Sequence, residues 1–135
     1  MLLLNKESCE MNGTRYLLDT NAVISIVNGN KQLIELLNSA SFIAFSIISI
    51  IEFLSYSNLT EKDKSVFQNM VEEASVINLR HTDSELIESI ITIRKSYKIK
   101  LPDAIVAATA LAYNCKIIYN DKELNKIEGL SFLSF

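Results

Sequence analysis

Tyr16-Leu17-Leu18 is an apolar run with Arg15 before it and Asp19-Thr20-Asn21 directly after it. Such a run suits a strand buried on both faces, whereas three small polar residues favour caps and turns over strand interiors. An apolar helical pattern from Ala22 follows at once and is stopped by Asn28-Gly29-Asn30. A buried strand feeding straight into a helix restricts the chain to a sheet covered by helices. In open α/β sheets, ligands bind in the crevice at the carboxyl ends of the strands. Asp19 stands at that end. It is either the N-cap of the following helix or an acid facing the crevice.

The alternation continues along the chain. The pattern predicts a helix over 31–39, a strand over 42–45 and a helix from about Ser49 to Tyr56. Ser49 is the N-cap candidate of that helix, with Glu52 three residues on as its capping-box partner. Thr60 caps an amphipathic helix over 61–73, and a strand follows at 75–78. Thr82, with Glu85 at the box position, caps a helix running to about Lys95. Pro102 opens an Ala-rich helix over 103–113, apolar nearly all round, and strands at 116–119 and 130–133 close the chain. The expected fold class is therefore α/β, a three-layer sandwich around a parallel sheet. Residues 1–14 read as an N-terminal extension and 15–135 as one domain.

Several classes are disfavoured. The most apolar stretch, Phe42 to Leu54, is interrupted by Glu52 and falls short of the roughly 18 residues of a membrane span. Met1-Leu2-Leu3-Leu4 runs into Asn5-Lys6-Glu7, which is no signal peptide. A soluble cytoplasmic protein without a membrane partner is expected. Cys9 and Cys115 belong to no zinc-type array, and Cys115 is expected reduced, packed behind a helix. A net charge of −3 argues against tight unaided DNA binding, and no direct sequence-specific DNA contact is expected. His81 is the single histidine, so a ribonuclease using two imidazoles is excluded.

Four carboxylates stand in segments with little other charge. Asp19 and Asp121 each follow a buried strand, Asp103 lies just after Pro102, and Glu52 interrupts an Ile-rich run. Caps, dipole partners and loop acids would account for each one singly. Buried carboxylates are costly unless paired or metal-bound, and hard oxygen ligands are what Mg²⁺ and Mn²⁺ select. Thr20 and Asn21 are candidates to hold Asp19 by hydrogen bonds, or are simple turn residues. Arg94, Lys95, Lys98 and Lys100 cluster just before Asp103; a solvated helix end explains them, as does contact with RNA phosphates.

Leu18-Asp19-Thr20-Asn21, Glu52 after its Ile/Ser-rich lead-in, Leu101-Pro-Asp-Ala-Ile-Val-Ala-Ala-Thr-Ala110 and Tyr119-Asn120-Asp121 resemble the PIN-domain ribonucleases. Within them the likeness is to the VapC-type toxins of prokaryotic toxin–antitoxin pairs. It implies a five-stranded parallel sheet and a Mg²⁺- or Mn²⁺-dependent endoribonuclease. It further implies that Asp19, Glu52, Asp103 and Asp121 line the site, with Asp19 and Asp103 as direct ligands. An antitoxin laying its C-terminal segment and a cation over the acids, and a homodimer, are the implied partners. The apolar helices around 22–37 and 49–71 are the expected contact surfaces. Tyr119 departs from the family, which has Thr or Ser there, and Asn120 offers a polar contact instead. That departure leaves a second reading, a catalytically weakened binding module acting through its antitoxin.

Overall fold

The computed structural model describes residues 14–120 and 123–135. Five strands form one parallel sheet: β1 (Arg15–Leu18), β2 (Phe42–Ser46), β3 (Ser75–Ile77), β4 (Lys116–Ile118) and β5 (Phe132–Leu133), in the spatial order β3-β2-β1-β4-β5. The described helices are α1 (Thr20–Val27), α2 (Lys31–Asn38), α3 (Ile47–Leu54), α4 (Glu61–Glu73), α5 (Ser84–Tyr97) and α6 (Leu101–Ala112), with a 3₁₀ turn at Glu123–Lys126. This is the three-layer α/β architecture expected from the alternation.

Strand β1 is buried along its whole length because it pairs on both edges, Leu17 with Ala44 and Ile117, Leu18 with Phe45 and Ile118. Side chains alternate between the faces of a strand, so these two rungs feed two separate cores. Leu17, Ala44 and Ile117 pack under α5 and α6, against Ile90, Ile93 and the alanines of α6. Leu18, Phe45 and Ile118 pack on the other face, where Phe53 and Phe67 stack with ring centroids 4.3 Å apart. Ala104 to Ala110 are all buried, because small side chains let α6 lie close on the sheet.

Four helix starts differ from the sequence reading: α1 begins at Thr20 and not Ala22, α6 at Leu101 and not Asp103, and α3 and α5 change their capping residue. The segment Ser46-Ile-Ile-Ser49-Ile-Ile offers two serines in the same local setting, and α3 begins at the first. Ser46 still pairs with Ile77 in the ladder, and its hydroxyl accepts from the Ile48 N–H at 3.3 Å. Ser49 is thus interior to the helix, and no capping box joins it to Glu52. Likewise α5 starts at Ser84 with Asp83, not Thr82, in the N-cap position; the Asp83 carboxylate instead accepts from the Arg80 N–H at 2.7 Å, closing a turn. The expected box at Thr60 is present, reciprocated by Asp63. Cys115 is a buried free thiol, and burial pushes its pKa up to about 11 despite the nearby Arg15 guanidinium. No described helix is long and apolar enough to cross a membrane.

Candidate metal centre

The sheet order creates one topological switch point. From β1 the chain moves outward through β2 to β3, whereas from β4 it moves the opposite way to β5. The carboxyl ends of β1 and β4 therefore border the crevice where such sheets bind ligands. Asp19 sits there, its backbone N–H donating to Ile118 O at 3.3 Å across the gap. By backbone it is the N-cap of α1, since its carbonyl accepts from the Val23 N–H at 3.1 Å. Its side chain makes no capping bond to α1, although it is only 7% exposed. The cap reading of Asp19 thus accounts for its position and not for its carboxylate.

Helix α3 brings the second acid to this edge. It leaves β2 without a loop and packs against both α1 and α6. The Thr20 hydroxyl donates to Glu52 Oε1 at 2.8 Å, joining residues 32 positions apart. Thr20 is buried and fixes the rotation of the Glu52 carboxylate, while Asn21 is exposed and has no side-chain hydrogen bond among the described residues. Asp103 lies in the first turn of α6, half-buried. Only three residues separate the end of α6 from β4, so α6 runs antiparallel to the strands and its first turn returns to the carboxyl edge. There α6 meets α3.

Asp121 lies outside the described residues. Asn120, just before it, is exposed. Tyr119 is buried in the core shared with α6, its N–H donating to Leu133 O at 3.0 Å. Among the described residues no three Asp, Glu, His or Cys side chains gather into one ligand group. Mg²⁺ does not require such a group, because it is commonly held through one or two carboxylates and keeps several waters.

Ser49, missed as a site residue, supplies a test of fit. Its Oγ is buried (1% exposed for the residue) with no hydrogen-bond partner among the described residues, and it stands one turn before Glu52 on the same side of α3. A buried hydroxyl without a partner costs about 1–3 kcal/mol, and a hydrated cation beside Glu52 is the kind of neighbour that would satisfy it. The donors at this edge are oxygens alone, which suits a hard divalent ion. Ser49→Ala is expected to raise the metal-free melting temperature by about 3–4 °C, the return of roughly 1 kcal/mol in a chain this long. The rise produced by added Mg²⁺ should shrink. Melting curves with EDTA and with Mg²⁺ read both effects; a lower melting temperature in EDTA would show that the hydroxyl is satisfied by the protein.

Two cavities open elsewhere on the described surface. Arg94, Lys95, Lys98 and Lys100 line one of about 580 Å³ at the junction of α5 and α6. Ile26, Ile34, Leu37, Phe45, Val66 and Met70 line part of a more apolar groove of about 500 Å³.

Comparison with known families matches a PIN domain over residues 16–130. Among solved structures, a toxin–antitoxin complex from Klebsiella pneumoniae is 25% identical, with 85% of this chain and 94% of that chain covered at a TM-score of 0.71. VapBC2 from Rickettsia felis, bound to a DNA fragment from its promoter, is 21% identical over 90% of this chain and 99% of that one, TM-score 0.75. DNA-bound VapBC from Salmonella typhimurium is 19% identical over 90% and 98%, also at 0.75. No curated protein matches the sequence significantly. The family match takes in Asp19, Glu52 and Asp103 together with four of the five strands, all but β5 and the first residue of β1, and the chain belongs to the PIN-domain family.

Proposed function

We propose that this chain is a divalent-metal-dependent endoribonuclease, the cytoplasmic toxin of a type II toxin–antitoxin pair. The observation that carries the reading is Asp19, a nearly buried carboxylate at the β1/β4 switch point whose side chain does not cap the helix it precedes. Membership of a nuclease family supports it, as does the solved toxin–antitoxin complex with the same fold. When bound, Mg²⁺ or Mn²⁺ supplies an activated water and neutralises charge on the scissile phosphate. Asp19 and Asp103 would hold the ion, and Glu52, steadied by Thr20, would orient its waters. Asp121 and the neighbouring Asn120 complete the proposed set. The buried floor beneath Asp19, built from Leu18, Ile118 and Tyr119, keeps bulk water from the back of the acids.

An antitoxin and a second copy of the chain are the proposed partners. The apolar groove between α2 and α4 falls within the surfaces expected for them, and Ile51 and Leu54 on α3 are further exposed apolar positions. The purified chain should cleave single-stranded RNA with Mg²⁺ or Mn²⁺ and stop when EDTA is added. The replacement of a small hydroxyl by Tyr119 favours the second reading, a weakened module acting through its antitoxin. Equal, metal-independent background in every sample would establish that reading instead.

A further inference from the structure

We propose that the cavity lined by Arg94, Lys95, Lys98 and Lys100 is an anchoring subsite for phosphates of the RNA strand next to the bond being cut, an inference that rests on the ribonuclease reading above. Four cations surround this one space, with Ile91 and Ile99 as its apolar walls. Among the described residues the one ion pair is Lys64 with Glu61 at 3.7 Å, so none of the four cations is paired with a described carboxylate. Arg94 and Lys95 occupy the last turn of α5, where the helix dipole favours cations. That explanation extends to Lys98, the C-cap of α5, but not to Lys100, which stands at the N-cap of α6, where the dipole disfavours a cation.

Lys98 carries the argument further. It ends α5 in the left-handed conformation, φ 54°, ψ 46°. A side chain there crowds the backbone, which is why glycine usually fills this position and asparagine is tolerated. Elsewhere the described chain follows that rule, with Gly29, Gly129 and Asn114 at its other positive-φ positions. Lys98 thus presents a cation at this cavity from a backbone position that glycine would fill with less strain. Lys100 then N-caps α6, three residues before Asp103, so the basic cavity adjoins the acidic edge. An acidic protein segment running from this cavity along the start of α6 would meet Asp103 and be repelled. A phosphodiester strand is a continuous polyanion that the cations grip at one point and a metal-loaded acidic edge at the next.

The experiment measures binding of a short fluorescein-labelled uridine oligoribonucleotide to the full chain in EDTA, where no cleavage interferes, between 50 and 200 mM salt. Each phosphate contact contributes about −0.7 to the slope of log K against log[salt] for single strands. Lys95→Gln with Lys98→Gln should flatten the slope by about 1.4 and weaken binding several-fold at low salt. Lys98→Gly separates charge from fold. It should raise the melting temperature by a few degrees by relieving the backbone, yet flatten the slope by about 0.7. Affinity and slope unchanged in both variants would overturn the subsite. Cleavage by a chain whose salt slope ignores these lysines would sink the subsite alone. A lysine-dependent slope in a chain that never cleaves with Mg²⁺ or Mn²⁺ would retain the subsite and remove the nuclease reading.

Discussion

Asp103→Asn is expected to lower metal-dependent RNA cleavage by roughly 10²–10³-fold or more, the scale seen when one preorganised electrostatic contact to a reacting centre is removed. The substitution keeps size and shape and deletes one negative charge. Asp103 is half-exposed in the first turn of α6, where a carboxylate stabilises the helix dipole by about 0.3–1 kcal/mol. The folding loss is therefore bounded at about 1–4 °C in melting temperature for a domain of this length. A second readout isolates the metal. A ligand bound only by the folded state at ten times its dissociation constant stabilises by about 1.4 kcal/mol, or roughly 5 °C here. Added Mg²⁺ should raise the melting temperature of the wild-type chain on that scale and that of Asp103→Asn much less. If the variant cleaves at the wild-type rate, Asp103 is a helix-dipole partner and nothing more.

How legible this was in the sequence varies by element. Strand β1 and helix α6 were readable because an apolar run closed by Asp-Thr-Asn and an Ala-rich apolar stretch behind a proline each leave few alternatives. Helix α4 was found end to end because Thr60 and Asp63 signal its start locally. The start of α3 was not readable, because Ser46 and Ser49 precede identical Ile pairs and only pairing with β3 decides how far the strand continues. Asp83 displaced Thr82 for a similar reason: both are good caps, and a turn back to Arg80 selects between them. At the site, the acids stood out as charges in apolar segments. The Thr20–Glu52 bond did not, since nothing local links residues on separate elements. Nor did the conformation of Lys98, because lysine gives no sequence signal for a left-handed turn. Ser49 does leave a trace, a lone hydroxyl one turn before Glu52 in an Ile run, but a serine in that setting has the local signature of a cap.

Arg15→Ala is expected to destabilise the fold by about 3 kcal/mol, close to 10 °C in melting temperature, whereas Arg15→Met should cost about 1 kcal/mol or less. Arg15 is 5% exposed at the start of the central strand. Its Nε and Nη2 donate to the carbonyl of Tyr113, at 3.2 and 2.8 Å, closing the end of α6, and its guanidinium lies 4.1 Å above the Phe42 ring. Two charge-assisted bonds and a ring face offset part of the cost of taking the ion out of water. The offset is incomplete, because Nη1 is buried with no hydrogen-bond partner among the described residues. Most of the net stabilisation then comes from the volume of the side chain, which methionine keeps and alanine gives up. A methionine variant as unstable as the alanine one would show that the helix-end hydrogen bonds dominate. Cleavage measured well below the melting transition should stay within about threefold of wild type in both variants. Seven consecutive buried residues, Ala104 to Ala110, hold α6 against the sheet independently of its far end, roughly 18 Å from its start. A larger drop in rate would mean that the tilt of α6, and with it the position of Asp103, is set from Arg15.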